Sequence, residues 1–365
     1  MQLLAVDVGG YTQDILLLDT SLALENSVKM VMPSATIITA RRIQQATEAG
    51  QDVVFTGVNM GGGPCRMALH RHLDAGLKAY ATPEAACTFD DDLEKVRQMG
   101  VMLVSPDEAG RFEGAAHIEM KDIDLEAIGR VLETFHVSPR FDAVAVAVQD
   151  HGAAPSDISD RIFRFQFLRR AVAQSDKLTT FAYLPGEIPQ EMTRMQGVAR
   201  TVPSGIPLLL LDTGPAAALG ALEDREVAKH RALVIMNVGN FHTLAFHLKD
   251  GAIMGLFEHH SRSMDAEKLD SLVGRLVTGN LTNEDVFNDG GHGCFVLGAN
   301  PSTSFVTVTG PGRRVMAASS FSPYFAAPHG DMMLSGCFGL ARAFALRVAQ
   351  WRDEIEKVLG GSGVA

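Results

Sequence analysis

One short pattern occurs twice in this chain and constrains the fold more than any other feature. Asp7-Val8-Gly9-Gly10-Tyr11-Thr12 closes an apolar run at 3–8 and leads into a second at 15–18. Asn237-Val238-Gly239-Asn240-Phe241-His242-Thr243 closes an apolar run at 232–237 and leads into another at 243–248. Two apolar runs joined by a short Gly-containing link read as a β-hairpin. The copies lie 237 − 7 = 230 residues apart, one domain length plus a connection. A duplicated half of this kind sets two equivalent turns facing each other across a cleft.

The rest of the pattern alternates strands and helices. Helical stretches are expected at 41–49, 64–73, 124–135, 162–173, 216–222 and 263–276. Strands are expected at 53–58, 100–105, 207–212, 252–257 and 305–309, with a short one starting near 79. The run 141–148 is apolar at both parities, as in a strand buried on both faces. Residues 184–189 form a Pro-rich loop, 337–359 one long terminal helix, and a flexible Gly-Ser tail follows. At 365 residues the chain is too long for a single ordinary core and suits two domains.

Composition removes several function classes. With 46% hydrophobic and 21% charged residues the chain is globular, not disordered. A net charge of −11 supplies no cationic surface for nucleic acid. The four cysteines, Cys65, Cys87, Cys294 and Cys337, are scattered, so neither a disulfide framework nor a cysteine-ligated zinc or iron–sulfur site is signalled. The first residues lack the basic segment of a signal peptide, and no run reaches the ~18 apolar residues of a membrane helix. A cytoplasmic location without membrane partners is expected.

The candidate chemistry sits at strand ends. In the first turn Gly9, Gly10, Thr12 and Gln13, and in the second Gly239, Asn240, His242 and Thr243, form a plausible phosphate cradle, because glycine admits an anion close to backbone N–H groups. Asp7, aided by Asn237, is placed to hold Mg²⁺ through water. For either copy alone a plain hairpin is the competing reading; the pair favours function. Gln149 and Asp150 end the doubly buried strand, where Asp150 can serve as general base and Gln149 can orient water. Gly310, Pro311, Gly312 and Arg313 follow a strand and can lie against a base or ribose, or make an ordinary Pro-Gly turn. Glu258 and His260 share a strand face and, with His242, His292 or His329, can build a metal site; hydrogen-bonded histidines are the plainer reading. Gly61-Gly62-Gly63 lacks the rest of a P-loop and reads as a substrate-side loop or a helix entry.

With these residues in hand, the chain resembles the actin, Hsp70 and sugar-kinase superfamily. Residues 7–14 look like its first phosphate motif, 237–243 its second, 309–313 its adenosine motif and 144–150 its strand carrying the base or water-positioning residue. The resemblance implies two duplicated α/β ribonuclease H-like domains with mixed five-stranded sheets and flanking helices, at 1–205 and 206–365, around a central cleft. The terminal helix is expected to pack back on the first domain. It also implies ATP and Mg²⁺ as cofactors, and an ATPase or phosphotransferase acting on a small molecule. A nucleotide-gated activator of a partner enzyme and a metal-dependent hydrolase using Glu258 and His260 remain alternatives. More narrowly, Asp7–Asp14, 237–243, Glu258-His259-His260, Gly290-Gly291-His292-Gly293 and Pro328-His329-Gly330-Asp331 resemble a prokaryotic domain-of-unknown-function family labelled "pyruvate formate-lyase activating enzyme". The C-x-x-x-C-x-x-C run of a radical-SAM activase does not occur in the sequence.

Overall fold

Both copies of the repeated pattern fold as hairpins of the same length. In the computed structural model, which describes residues 1–360, Gln2–Val8 pairs antiparallel with Thr12–Asp19, and Ala232–Val238 with His242–Lys249. Each turn is closed by one equivalent bond, Gly9 N–H to the Thr12 carbonyl at 2.8 Å and Gly239 N–H to the His242 carbonyl at 2.9 Å.

The hairpins nucleate two mixed sheets. The first runs Val28–Pro33, Thr12–Asp19, Gln2–Val8, Ala143–Val148, Leu208–Leu211, Ala182–Tyr183. The second runs Gly293–Val296, Ala252–His260, His242–Lys249, Ala232–Val238, Phe305–Thr309, Tyr324–Phe325. Five strands of each correspond in order and direction: two antiparallel pairings, then two parallel ones. Each sheet adds one further antiparallel strand, at opposite edges. This is the duplicated ribonuclease H-like architecture of the actin-like and sugar-kinase fold. As expected, Ala143–Val148 is buried along its whole length.

Three details depart from the expected layout. Leu208–Leu211 pairs in parallel with Ala143–Val148, so the first sheet runs past residue 205. Residues 35–120, within the expected first domain, hold a separate parallel sheet of Val101–Leu103, Ala79–Ala81, Val53–Gly57 and Ala116–Met120. It has its own core around Phe55, Leu69, Phe89 and Ile118, and so is an insertion beside the main sheet. The terminal helix is two helices, Ser335–Arg347 and Arg352–Leu359, because the chain breaks at Val348 and Trp351 turns back to stack on Phe344 at 5.6 Å. The tail beyond residue 360 lies outside the described residues. No helix among the described residues is long and apolar enough to cross a membrane.

The two halves meet through crossing helices. Thr213–Ala221 packs across Ser335–Arg347 so closely that a Cβ on Gly220 would lie 1.7 Å from the Ser335 carbonyl oxygen, and one on Gly339 1.8 Å from that of Ala216. Only glycine permits that approach. The same second helix reaches the first sheet, where the Cys337 thiol donates to the Asp14 carbonyl at 3.0 Å. The helix Ser335–Arg347 thus contacts both the first sheet and the helix Thr213–Ala221.

Candidate functional site in the cleft between the hairpins

The two turns face each other, and their equivalent aromatic residues, Tyr11 and Phe241, stack at 5.2 Å. Beneath them lies a cavity of about 120 Å³ lined by both turns, Asp7, Asp14, Asn237 and the first residues of the two crossing helices. It adjoins a wider cleft of about 660 Å³ that reaches the insertion through Gly61, Gly62 and Asp91. Gly9, Gly10, Gln149, Thr213, Phe241 and His242 line both, so the two spaces are continuous. The wider space is the size of a small-molecule site.

Strand pairing puts Asp7 directly opposite Asp14. One oxygen of each carboxylate is buried without a hydrogen-bond partner. Burial, then the neighbouring Asp14 and Asp212 charges, push the Asp7 carboxyl far above the ordinary range. Burial likewise pushes Asp14 up to about 7. Such a pair is costly unless it shares a proton or meets a cation. Facing it, Thr213 and Gly214 begin one helix and Ser335 and Gly336 the other, so two helix N-termini present positive dipole ends to the same cavity.

On the other wall Arg164 ties the lobes together. From the helix Asp160–Gln174 it donates through Nε to Glu258 at 2.7 Å, and through both terminal nitrogens to Asp212 at 2.8 and 3.3 Å. Gln149 Nε2 donates to the second Glu258 oxygen at 2.6 Å. Burial alone would raise Glu258, but the Arg164 guanidinium outweighs it and holds the carboxylate below its usual range. Around Glu258 gather His151, His242 and His292, whose donor atoms and a Glu258 oxygen all lie within 4.8 Å of one another. Burial, reinforced by Arg164, holds His151 and His242 neutral, the latter pushed down to about 4. Burial, with the neighbouring His242 and Arg164, does the same for His292.

The expected site residues divide between cavity and scaffold. Asp7, Gly9, Gly10, Thr12, Gln149, Asn237, Gly239, Asn240, His242, Glu258, Gly310 and Pro311 line the small cavity. Gln13 turns away to the Pro33 carbonyl, and Thr243 is fully buried against Ser261. Arg313 folds back on the Gly310 carbonyl and lines neither space, nor does Gly312. Asp150 lines the wide cleft, but its two oxygens accept N–H bonds from Gly152 and Met195 at 2.9 Å each, which makes it first a brace for the turn carrying His151. His260 stands beside the histidine group, 4.7 Å from the His292 ring, rather than within it. His329 is remote from it, facing Glu223. Gly62 enters the helix Gly63–Asp74, while Gly61 sits under Arg194, which bonds Asp122 at 2.7 and 2.8 Å and the Gln149 carbonyl at 2.7 Å, joining insertion to first lobe.

Four residues of the site went unassigned from sequence: Asp14, Arg164, Asp212 and His151. Asp14 was accessible, since a tight hairpin closed at Gly9 sets it opposite Asp7. Arg164 left a fainter trace, a lone cation between Phe163 and Phe165 on a face that must be buried. Nothing local links His151 to His292, 141 residues away.

Comparison with known proteins adds the family. No curated protein matches the chain. Solved structures that align with it include the ethanolamine utilization protein EutJ from Carboxydothermus hydrogenoformans (10% identity, 93% of this chain and 89% of that one, TM-score 0.33). The ROK hexokinase from Thermus thermophilus aligns at 12% identity over 96% of this chain and all of that one, TM-score 0.32. A ROK family transcriptional regulator, a homolog of the E. coli MLC protein, aligns at 9% identity and TM-score 0.27; the chain covers 37% of its length. At these scores the likenesses carry no argument, and the fold rests on the strand topology above. The family model described as "Putative pyruvate format-lyase activating enzyme (DUF1786)" matches residues 60–315, that is 256 of 365, and the chain belongs to that family.

Proposed function

We propose that this chain binds a phosphate-bearing small molecule, ATP foremost, in the cleft between its two hairpins and hydrolyses or transfers the terminal phosphoryl group. The observation that carries the reading is the Asp7–Asp14 pair, buried with unpartnered oxygens and facing two helix N-termini across a phosphate-sized cavity. Anionic oxygens and positive dipole ends fit the two components of a magnesium phosphate. Asp7 and Asp14 would hold Mg²⁺, directly or through water. When bound, that ion supplies charge neutralisation for the phosphate oxygens.

The chain's own groups set the rest. The N–H groups at the two helix starts that are not already taken, as those of Gly214 and Ser335 are, bind phosphate oxygens. Thr12 offers a hydroxyl at the cavity wall. Gln149, lining both spaces and fixed by Glu258, orients the attacking oxygen of water or of an acceptor in the wide cleft.

Phosphate release from ATP, with and without a small-molecule acceptor, tests this. Asp7→Ala should abolish it while circular dichroism stays native. Gln149→Ala should slow it at least tenfold. Turnover that survives Asp7→Ala overturns the reading.

A further inference from the structure

The histidine group on the far wall of the cleft has no task in the phosphate reading. We propose that His151, His242, Glu258 and His292 bind one divalent first-row transition ion of the zinc class, at the junction of the two lobes. The four residues come from separate elements. His151 follows the first-lobe strand Ala143–Val148. His242 opens the strand His242–Lys249, Glu258 lies on Ala252–His260, and His292 directly precedes Gly293–Val296. Gly293, at φ +146, turns the loop so that His292 points inward.

The geometry fits an ion. The Nε2 atoms of His151 and His292 are 3.2 Å apart. Two nitrogens on one tetrahedral zinc ion are separated by about 3.3 Å, from a bond length of about 2.05 Å. The widest separation in the group, 4.8 Å, must close by roughly 1.5 Å on binding to reach the same tetrahedral spacing. Taken as a hydrogen bond, the His151–His292 contact satisfies each Nε2 with a single shared proton. The buried Nδ1 of His292 has no partner under either reading. As co-ligands, both Nε2 lone pairs are used.

Charge and support point the same way. Arg164 lies between Glu258 and Asp212, so that buried triad carries one net negative charge, which a dication reverses. Both Glu258 oxygens are held by outer partners, Gln149 and Arg164, the arrangement that orients a carboxylate ligand. Imidazole nitrogen dominates the donor set, which favours zinc-class ions over Mg²⁺. Three of the ligands line the wide cleft and Glu258 the small cavity, so the ion faces both.

The test is cobalt(II) titration of chelator-treated full-length protein, read by visible ligand-field absorption and by metal-to-protein ratio. One equivalent should bind with a saturable band. His242→Ala and His292→Ala should each weaken binding at least tenfold, and His260→Ala should leave it intact. Far-ultraviolet circular dichroism checks that each variant folds. No saturable band, or a band that survives both substitutions, overturns the proposal. The readout uses no nucleotide, so its failure is separate from failure of the phosphate reading.

Discussion

The two hairpins share a backbone and differ in chemistry. Subtracting 230 maps Gly239 onto Gly9, Phe241 onto Tyr11 and His242 onto Thr12. It also maps Asn237 onto Asp7 and Leu244 onto Asp14. Strand lengths and the turn-closing bond are the same in both. The first half thus carries the opposed carboxylates. The second replaces them with an amide and a leucine, and adds His242, Glu258 and His292. Duplication kept the geometry that faces the cleft and divided the electrostatics, acidic on one wall and imidazole-rich on the other.

The largest effect should come where one wall depends on the other half. Arg164→Met leaves Glu258 and Asp212 buried and unpaired, and should destabilise the protein by about 3–5 kcal/mol in denaturant titration. A loss under about 1 kcal/mol would mean that Glu258 of the second lobe is not held by the first. Next comes the acidic wall itself. Burial raises Asp14 from 3.8 to about 7, so the folded chain keeps a proton that the unfolded chain releases above about pH 4. The contribution of Asp14 to stability is then fullest below pH 4, falls between pH 4 and 7 by up to about 1.4 kcal/mol per unit, and levels above. Asp14→Asn should flatten that slope, and an unchanged slope contradicts the burial of this pair. The smallest effect concerns the turn tips. A double-mutant cycle on Tyr11→Ala and Phe241→Ala should give a coupling of about 0.5–1.5 kcal/mol. Zero coupling would show that the tips stand apart in solution.

How much the sequence disclosed follows the same division. The hairpins, the doubly buried strand Ala143–Val148 and the crossing helix after Asp212 were legible, because apolar periodicity and glycine turns are local signals. The edge strand Val28–Pro33 was not, since it is half exposed, with Val31 and Met32 toward solvent and Pro33 at its end. The insertion escaped as a unit for another reason: three of its strands are expected at 53–58, near 79 and at 100–105, but no local signal says that they pair with one another and with Ala116–Met120 instead of joining the main sheet. In the site, Asp7 and Glu258 could be named because each belongs to a local pattern. The Arg164 triad could not, because its members lie 48 and 94 residues apart and only the fold brings them within bonding distance.

The central claim is that the acidic wall and the helix ends together bind a magnesium phosphate. Thermal unfolding of the wild type and of Asp7→Asn, each with ATP and Mg²⁺, ADP and Mg²⁺, or EDTA, tests it most directly. At about 100 times the dissociation constant the wild type should gain roughly 2.7 kcal/mol, lose it in EDTA, and share none of it with Asp7→Asn. No gain in the wild type, or an equal gain in Asp7→Asn, would contradict the account.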